Sequence, residues 1–205
     1  EGEILFVMGS NGSGKSTLLK TLSNLTPPLS GSISLKGKET RDYSSIDFAK
    51  KVSVLLTDKP NLNVMNVKEV ISLGRFPHTS FWGSLNTKDK KIIDETIELL
   101  KLQHLTKKNY NTLSDGQKQK VLLGRTLVQN SPLIILDEPT SFLDVPRKNE
   151  FSEILKFLVE KQNKTIILSS HDWDFALKNA HSLLFLGANG HYKKGLPEDF
   201  YFNQD

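Results

Sequence analysis

The sequence predicts an α/β fold, in which a mostly parallel β-sheet is covered by helices on both faces and carries a helical insertion. Short apolar runs, typical of buried strands, occur at residues 4–8, 52–56, 133–136, 165–168 and 183–186. Segments with apolar residues at helical spacing separate these runs, and this alternation favours parallel pairing. Residues 66–130 contain almost no strand pattern, so we expect them to form a helical subdomain. Residues 1–65 and 131–205 would then form the core subdomain.

The predicted helices cover residues 16–25, 66–73, 87–101 and 146–161, and a further short strand covers residues 32–36. Pro27 and Pro28 are expected to end the first helix, because proline cannot continue it. The second helix begins with a capping-box pattern, in which Asn66 is followed by Glu69 three residues later.

The composition is that of a soluble globular protein, because 37% of the 205 residues are apolar and 24% are charged. The absence of cysteine excludes disulfides, cysteine-based zinc sites and cysteine nucleophiles. No apolar run approaches the roughly 18 residues that suggest a membrane span, and the start does not resemble a secretory signal. We therefore expect a cytoplasmic protein. Glu1 already stands at the start of an apolar strand. We therefore also expect that the N-terminal strands of the fold are truncated and that upstream residues are missing.

The charge balance does not indicate a nucleic-acid-binding protein. The chain has 27 Lys and Arg against 23 Asp and Glu, which gives a formal net charge of +4. Lysines between residues 88 and 120 are interspersed with Asp89, Asp94, Glu95 and Glu98, a pattern typical of solvated helix faces. No stripe of aromatic and arginine residues suggests a nucleic-acid platform, so we expect no nucleic-acid partner.

A glycine-rich segment between the first strand and the first helix matches the pattern G-x-x-x-x-G-K-[ST] of phosphate-binding loops. Its residues are Gly9, Ser10, Asn11, Gly12, Ser13, Gly14, Lys15, Ser16 and Thr17. Glycines allow backbone N–H groups to point at phosphate oxygens, and the helix N-terminus adds partial positive charge. Lys15 would supply a full charge for the β- and γ-phosphates, and the Ser16 hydroxyl can bind Mg²⁺. The alternative is a turn rich in glycine and serine before an ordinary helix.

Two acidic residues follow the apolar strand at residues 133–136. Open α/β sheets bind ligands at the carboxyl ends of their strands, so Asp137 and Glu138 should lie beside the phosphate-binding loop. Asp137 is expected to hold Mg²⁺ through water, and Glu138 to polarise an attacking water molecule. The alternative is an acidic turn before Pro139, and the presence of a phosphate-binding loop in the same chain argues against it.

A third motif, Leu-Ser-Asp-Gly-Gln, occupies residues 113–117, and we call it the signature. Ser114 and Gln117 form a capping-box pattern, which predicts that a helix begins here. A helix N-terminus is also a site for an anion, and two chains arranged head-to-tail could use it together with the phosphate-binding loop. The spacing alone leaves open that the motif is only a helix cap.

The segments GSNGSGKST, LSDGQ, LIILDEPTSFLD and SSHD, in this order, resemble the nucleotide-binding subunit of ABC transporters. The resemblance extends over essentially the whole chain, and LSDGQ is its most discriminating part. It implies a P-loop NTPase fold of the ABC ATPase type, with ATP and Mg²⁺ as cofactors and ATP hydrolysis as the activity. It also implies a dimer with two ATP molecules at the seam.

The resemblance implies roles for the residues within one subunit. Residues 9–17 would bind ATP, and Lys15 would act in catalysis. Glu138 would be the general base, and His171 would contact the γ-phosphate and the attacking water. The implied Mg²⁺ ligands are Ser16 and Asp137. For His171, the alternative is a histidine at a capped strand end or in the core.

The resemblance also implies contacts across the dimer. Ser114, Asp115, Gly116 and Gln117 would contact the ATP held by the opposite copy. Asp144 would contact the partner's phosphate-binding loop.

The sequence departs from the family pattern at two positions. Thr57 stands where the family usually has glutamine, and its shorter side chain could still bind Mg²⁺ or a water molecule. Asp115 replaces the first glycine of the common signature, and a carboxylate near phosphates is unfavourable unless it points away or serves the helix N-terminus. The aromatic residue that stacks on adenine in the family would lie upstream of Glu1.

A finer resemblance, to the ATPases of importers for iron–siderophore complexes, haem and cobalamin, rests on residues 72–78, on residues 81–83 and on Asp89. In that subfamily this region flanks the groove that receives a helix of the membrane subunit. Phe76, Phe81 and Trp82 are therefore candidate anchors, because aromatic residues are enriched at interface hot spots. For Phe81 and Trp82, burial between the insertion and the sheet is an equal alternative.

The predicted protein is an ATPase subunit attached to the inner face of the cell membrane through integral-membrane permease subunits, which connect it indirectly to a substrate-binding protein. ATP-driven dimer closure would energise uptake of an iron chelate or cobalamin. The alternatives are an exporter subunit and a soluble ABC ATPase of translation or DNA repair. A single phosphate-binding loop and the lack of a coiled-coil insertion argue against the soluble proteins.

Overall fold

The computed structural model describes residues 2–57, 62, 64–79, 83–141, 143–187 and 190–200. Its strands are β1 Ile4–Met8, β2 Ser34–Leu35, β3 Lys38–Glu39, β4 Val52–Leu55, β5 Leu133–Leu136, β6 Thr165–Ser170, β7 Ser182–Leu186 and β8 Tyr192–Gly195. Its α-helices are α1 Lys15–Leu22, α2 Ser45–Ala49, α3 Val67–Ser72, α4 Thr87–Leu99, α5 Asp115–Val128, α6 Val145–Glu160 and α7 Trp173–Asn179. The 3₁₀ segments are Thr40–Asp42, Leu73–His78, Gln103–Leu105, Tyr110–Thr112 and Pro197–Phe200. Within these ranges, no helix combines the length and the apolar character that a membrane span requires.

Most of the strands form one sheet, in the order β4–β5–β6–β1–β7–β8. The first five are parallel, and β8 pairs antiparallel with β7 at the edge. The predicted, mostly parallel sheet is therefore confirmed, whereas β8 was missed because its exposed residues carry no apolar pattern. The strand predicted at residues 32–36 is shorter, and as β2 it pairs only with β3 in a separate two-stranded sheet.

The larger sheet is buried on both faces, because alternate residues of its strands point into two different apolar clusters. Phe6 and Leu136 belong to the larger cluster, together with residues of α3 to α7. Val7 and Ile135 belong to the smaller cluster, which includes residues of α1 and α2. Burial on both faces explains why the strands read as continuous apolar runs rather than as alternating patterns.

The first helix ends earlier than the sequence predicts. α1 stops at Leu22, and Asn24 adopts a left-handed backbone conformation with a φ of 56°. A left-handed residue cannot continue a right-handed helix, and asparagine is one of the few residues that tolerate it at a helix end. Leu25 is consequently exposed rather than packed inward. The helix end is therefore set by Asn24 and not by Pro27 and Pro28.

The described part of residues 66–130 forms α3, α4 and α5 with 3₁₀ segments between them. The one β pairing that this part contains is an isolated antiparallel bridge between Asn66 and Asn109. The capping box predicted at the start of α3 is present, since Asn66 accepts from the Glu69 N–H and Glu69 from the Asn66 N–H. The region is helical as predicted, while its boundaries as a subdomain stay a prediction.

The 3₁₀ segment Leu73–His78 lies directly on α5. A Cβ atom on Gly74 would come within 2.0 Å of the Arg125 carbonyl oxygen, so this approach requires glycine. The neighbouring Arg75 is buried, and its Nη1 donates to the Val128 carbonyl at 3.0 Å. The segment is therefore fixed to the C-terminal end of α5.

Asp89 is a buried partner of Arg75, and the prediction that it lies on a solvated helix face is wrong. Arg75 Nε and Nη2 donate to Asp89 Oδ1 at 2.9 and 2.7 Å, and Asp89 is 1% exposed. Burial raises the pKa of Asp89, but hydrogen bonds from Arg75 and from the Asn86 N–H, with the Arg75 charge, bring the pKa below its ordinary value. The other acidic residues of α4 are exposed, as expected.

Replacing Asp89 by asparagine should destabilise the fold strongly, because the Arg75 charge would stay buried without its partner. We expect the free energy of unfolding, measured by urea denaturation at pH 7, to fall by about 3–5 kcal/mol. The control Asp94→Asn removes an exposed carboxylate of the same helix that pairs with Lys68 at 2.7 Å, and it should cost less than about 1 kcal/mol.

The effect of Asp89→Asn should also depend on pH in one direction. Because the folded-state pKa is lowered, ionised Asp89 stabilises the fold above its unfolded pKa of about 3.9, and this contribution is lost as pH falls through the folded-state pKa. The stability difference between wild type and Asp89→Asn should thus be constant near neutral pH and shrink in acid. Equal unfolding free energies at pH 7 would contradict the ion pair.

Candidate functional site

The loop between β1 and α1 depends on glycine in the way that the motif predicts. Gly9, Gly12 and Gly14 have φ values of 151°, 83° and 96°, which other residues rarely adopt. A Cβ atom on Gly9 would also come within 2.5 Å of the Leu186 carbonyl oxygen. The loop therefore lies tightly against the end of β7 and leads directly into α1.

The N-terminus of α1 is open to an anion. Its N-cap is Gly14, which has no side chain, whereas every other α-helix in the described ranges begins with a side-chain cap. The N–H groups of its first turn and the partial positive charge of the helix end are therefore available to a phosphate. The alternative of an ordinary turn before a helix does not explain this difference.

Lys15 is the buried cation of the loop. Its Nζ donates to the carbonyl oxygens of Gly9 at 2.9 Å and Ser10 at 3.1 Å, and it lies 3.8 Å from Glu138 Oε1. A full positive charge therefore lies between the loop and the acidic end of β5. Of the other loop residues, the exposed ones are Ser10, Asn11, Gly12 and Thr17, and the half-buried ones are Ser13, Gly14 and Ser16.

Asp137 is completely buried at the carboxyl end of β5. Its Oδ1 accepts from the Ser169 hydroxyl at 2.7 Å, and its Oδ2 accepts from the Thr57 hydroxyl at 3.0 Å. The carboxylate is therefore fixed by two hydroxyl groups from the neighbouring strands. Thr57 lies just after β4, and Ser169 lies within β6. Thr57 contacts Asp137 directly, and its predicted binding of Mg²⁺ stays a prediction.

Glu138 directs its carboxylate toward Lys15 and His171 from an unusual backbone conformation. Its φ of 46° lies in the left-handed region that residues other than glycine seldom adopt. Its Oε2 accepts from the Ser141 hydroxyl at 3.0 Å and lies 3.5 Å from His171 Nδ1. His171 is 61% exposed, which argues against a core histidine. The three residues proposed as catalytic thus lie together, although their roles stay predictions.

Two serines of this site were not identified from the sequence. Ser141 donates to the Glu138 carboxylate, and Ser169 donates to Asp137 and accepts from the Glu138 N–H at 2.8 Å. Both belong to recognised motifs, but a serine hydroxyl contributes neither periodicity nor charge to a sequence pattern. In addition, β6 was predicted two residues too short. It continues to Ser170, so Ser169 belongs to the strand beside Asp137.

The two remaining motif segments form helix caps. Ser114 accepts from the Gln117 N–H and Gln117 from the Ser114 N–H, so the predicted capping box opens α5. Asp115 is exposed in the first turn of α5, where the helix dipole favours a carboxylate. Asp144 is the N-cap of α6 and accepts from the Arg147 N–H at 3.1 Å. These hydrogen bonds are local, and the contacts expected with a second copy stay a prediction.

A large groove lies between α3 and α4, and we call it the α3–α4 groove. It has a volume of about 1050 Å³, and its lining includes Met65, Lys68, Leu73, Phe76, Leu85 and Ile97. Phe76 is 69% exposed, so it is a surface residue of this groove. The other two candidate anchors, Phe81 and Trp82, lie outside the described residues.

The sequence matches the ABC transporter family over residues 1–141. An uncharacterised ABC transporter ATP-binding protein of Methanocaldococcus jannaschii is 39% identical over 198 residues, which cover 97% of this chain and 68% of that protein. An iron(3+)-hydroxamate import ATP-binding protein of Bacillus subtilis is 34% identical over 195 residues, which cover 95% of this chain and 72% of that protein. A dimeric ATP-binding cassette in a post-hydrolysis state, bound to ADP and phosphate, superimposes with a TM-score of 0.83 at 25% identity, covering 96% of this chain and 86% of that one.

The chain belongs to the ABC transporter family, and its fold is that of an ABC ATPase cassette. It is a nucleotide-binding protein that hydrolyses ATP. The open helix end, the buried lysine and the acidic strand end agree with this activity, because they meet at one edge of the sheet. The fold class and the ATPase activity predicted from the sequence are thereby confirmed.

Replacing Lys15 by alanine should weaken ATP binding, because it removes the buried charge beside the loop. We expect the dissociation constant for ATP, measured by isothermal titration calorimetry, to rise about 10- to 100-fold, which corresponds to the loss of a charged hydrogen bond. The control Lys20→Ala removes a lysine from the last turn of the same helix and should bind like wild type. Wild-type affinity in Lys15→Ala would argue against phosphate binding at this loop.

Proposed function

We propose that this protein is the ATP-hydrolysing subunit of an importer for an iron chelate, such as a siderophore complex or haem, or for cobalamin. The observation that carries the proposed active site is the 3.8 Å distance between Lys15 Nζ and Glu138 Oε1, beside the open N-terminus of α1. The α3–α4 groove and the iron(3+)-hydroxamate import relative support the transport function.

In this proposal, the protein accelerates hydrolysis by positioning the γ-phosphate and the attacking water and by neutralising negative charge. The N–H groups of the loop and Lys15 bind the phosphates, and Glu138 accepts a proton from the water that attacks the γ-phosphate. The Ser141 hydroxyl and His171 hold the Glu138 carboxylate on its other oxygen, at 3.0 and 3.5 Å. The fixed N–H groups of the loop and Lys15 would stabilise the charge of the transferred phosphoryl group without rearrangement.

The residues expected to hold Mg²⁺ fit this ion. Ser16 and Asp137 offer hydroxyl and carboxylate oxygens, the hard donors that Mg²⁺ prefers, and this ion commonly takes few protein ligands beside phosphates and water. Two hydroxyl donors already fix the Asp137 carboxylate, which suits a residue that binds the ion through water. When bound, Mg²⁺ would neutralise charge on the β- and γ-phosphates.

The proposed working unit is a dimer of two copies with two ATP molecules at the seam. Ser114, Gly116 and Gln117, at the N-terminus of α5, would contact the ATP of the opposite copy. Asp144 is exposed at the start of α6 and so is accessible to the partner's loop. The dimeric cassette bound to ADP and phosphate supports this arrangement. ATP binding would close the dimer, and hydrolysis would let it open.

The α3–α4 groove is the proposed docking site for a helix of the permease, through which the protein would be held at the inner face of the membrane. Hydrophobic grooves accept amphipathic helices, and the exposed Phe76 offers an aromatic anchor. Lys68 and Asp94 pair at 2.7 Å and give the groove a polar rim. Because Arg75 fixes the segment that carries Phe76 to α5, a docked helix would be linked to the signature at the other end of α5.

Replacing Glu138 by glutamine should leave ATP binding intact and slow hydrolysis, because glutamine keeps the shape of the side chain but cannot accept the proton. We expect kcat, measured by phosphate release, to fall about 10²- to 10⁴-fold. The control Glu153→Gln changes an exposed glutamate of α6 and should retain full activity. Wild-type turnover in Glu138→Gln would refute the general-base role.

Replacing Phe76 by glutamate should reduce recovery of a polytopic permease when the full-length protein is used to pull partners from detergent-solubilised native membranes. A charge in place of the aromatic anchor disfavours packing of the apolar face of the docked helix, whereas basal ATPase activity should be unchanged. Tyr192→Glu, on the exposed strand β8, is the matched control and should recover the permease like wild type.

The partners recovered by the unmodified protein test the transport function itself. A polytopic permease, identified by mass, supports a transporter subunit, and its associated binding protein would lead to the substrate. Recovery of ribosomal or DNA-bound proteins without any permease would refute the importer proposal and leave only the ATPase.

A further inference from the structure

We propose that Ser169 is a positioning residue for ATP hydrolysis, which acts by holding Asp137 and Glu138 together at the end of β5. The inference rests on the proposed role of Glu138 as the general base. Ser169 is neutral and 0% exposed, so it would act on the reaction only through Asp137 and Glu138.

The Ser169 hydroxyl makes two hydrogen bonds at once. It donates to Asp137 Oδ1 at 2.7 Å, and it accepts from the Glu138 N–H at 2.8 Å. Because the serine is completely buried, water does not compete for either bond. One hydroxyl on β6 therefore connects the side chain of the first acidic residue with the backbone of the second.

Glu138 needs this support because its backbone is strained. A φ of 46° is costly for a residue with a side chain, and such conformations persist only where the surroundings enforce them. Without the Ser169 hydroxyl, the Glu138 N–H would lose its partner and the backbone could relax. The Glu138 carboxylate would then shift relative to Lys15 and His171, between which it is now held.

The neighbouring hydroxyls do not duplicate this function. Ser170 accepts from the Asp172 N–H at the start of α7, and Thr57 donates to the other Asp137 oxygen but is itself exposed. Burial in the sheet does not by itself give a serine such hydrogen bonds. Ser53 of β4 is buried in the same sheet, and among the described residues its hydroxyl has no hydrogen-bond partner.

Ser53 therefore provides a matched control for a steady-state ATPase test on the full-length protein. Ser169→Ala should lower kcat about 10- to 100-fold, the range typical of residues that orient a ligand or catalytic group, with a much smaller change in KM for ATP. Ser53→Ala removes the same atom from the same sheet and should keep the wild-type kcat. Ser169→Thr retains the hydroxyl on a residue that suits strands, and it should recover most of the activity.

A second set of measurements separates positioning from folding. All variants are assayed at a temperature at which circular dichroism shows them to be folded, and ATP binding is measured by calorimetry. Binding close to wild type with a low kcat in Ser169→Ala supports the proposal. A kcat equal to that of Ser53→Ala, a loss confined to KM, or a folded Ser169→Thr as slow as Ser169→Ala would overturn it. If Ser169→Ala does not fold, Ser169→Thr is compared with Ser169→Cys, whose thiol is a weaker hydrogen-bond donor. Equal kcat values for these two variants would overturn the proposal.

Glu138→Gln, measured in parallel, distinguishes the two proposals. A slow Glu138→Gln together with a fast Ser169→Ala overturns only the role of Ser169. A fast Glu138→Gln overturns the general-base role itself. In the double variant, Ser169→Ala should lower kcat less than it does in wild type, because residues that act through one another have non-additive effects.

Discussion

Parallel pairing of β1, β5 and β6 is the constraint on which the site depends. Because the carboxyl ends of these strands meet at one edge of the sheet, Lys15, Glu138 and His171 come together although they are distant in sequence. A slip of one residue in β6 would turn Ser169 to the opposite face, away from Asp137. The apolar packing on both faces, which fixes the register, therefore also fixes the distances between the reacting groups.

The sequence predicted the local features of the fold and site and the position of Glu138 beside the phosphate-binding loop, whereas it did not predict other side-chain contacts between distant segments. The phosphate-binding loop and the cap at Ser114 depend on residues a few positions apart, so short motifs reveal them. The hydrogen bond from Ser169 to Asp137 spans 32 positions, and Arg75 binds Asp89 across 14. No sequence pattern around Ser169 or Arg75 identifies the residue that each of them binds. The early end of α1 was missed for a related reason, since a left-handed asparagine leaves no periodic signal.

The helix α5 connects parts of the molecule that the motifs alone leave separate. Its N-terminus carries the signature, and the carbonyl of Val128 at its C-terminus accepts from Arg75. Just beyond that end, Gln129 donates to the Val52 carbonyl at the start of β4, the strand that precedes Thr57. This helix of 14 residues therefore lies between the signature at one end and the contacts to Arg75 and β4 at the other.

The edge strand β8 restricts how copies of this protein can associate. It is short, antiparallel and exposed, and Tyr192, Lys193 and Lys194 follow one another along it. Lysines on an exposed edge oppose the addition of a further strand, because two such edges would bring like charges together. Joining of two sheets through this edge, the route by which edge strands lead to aggregation, is thus disfavoured.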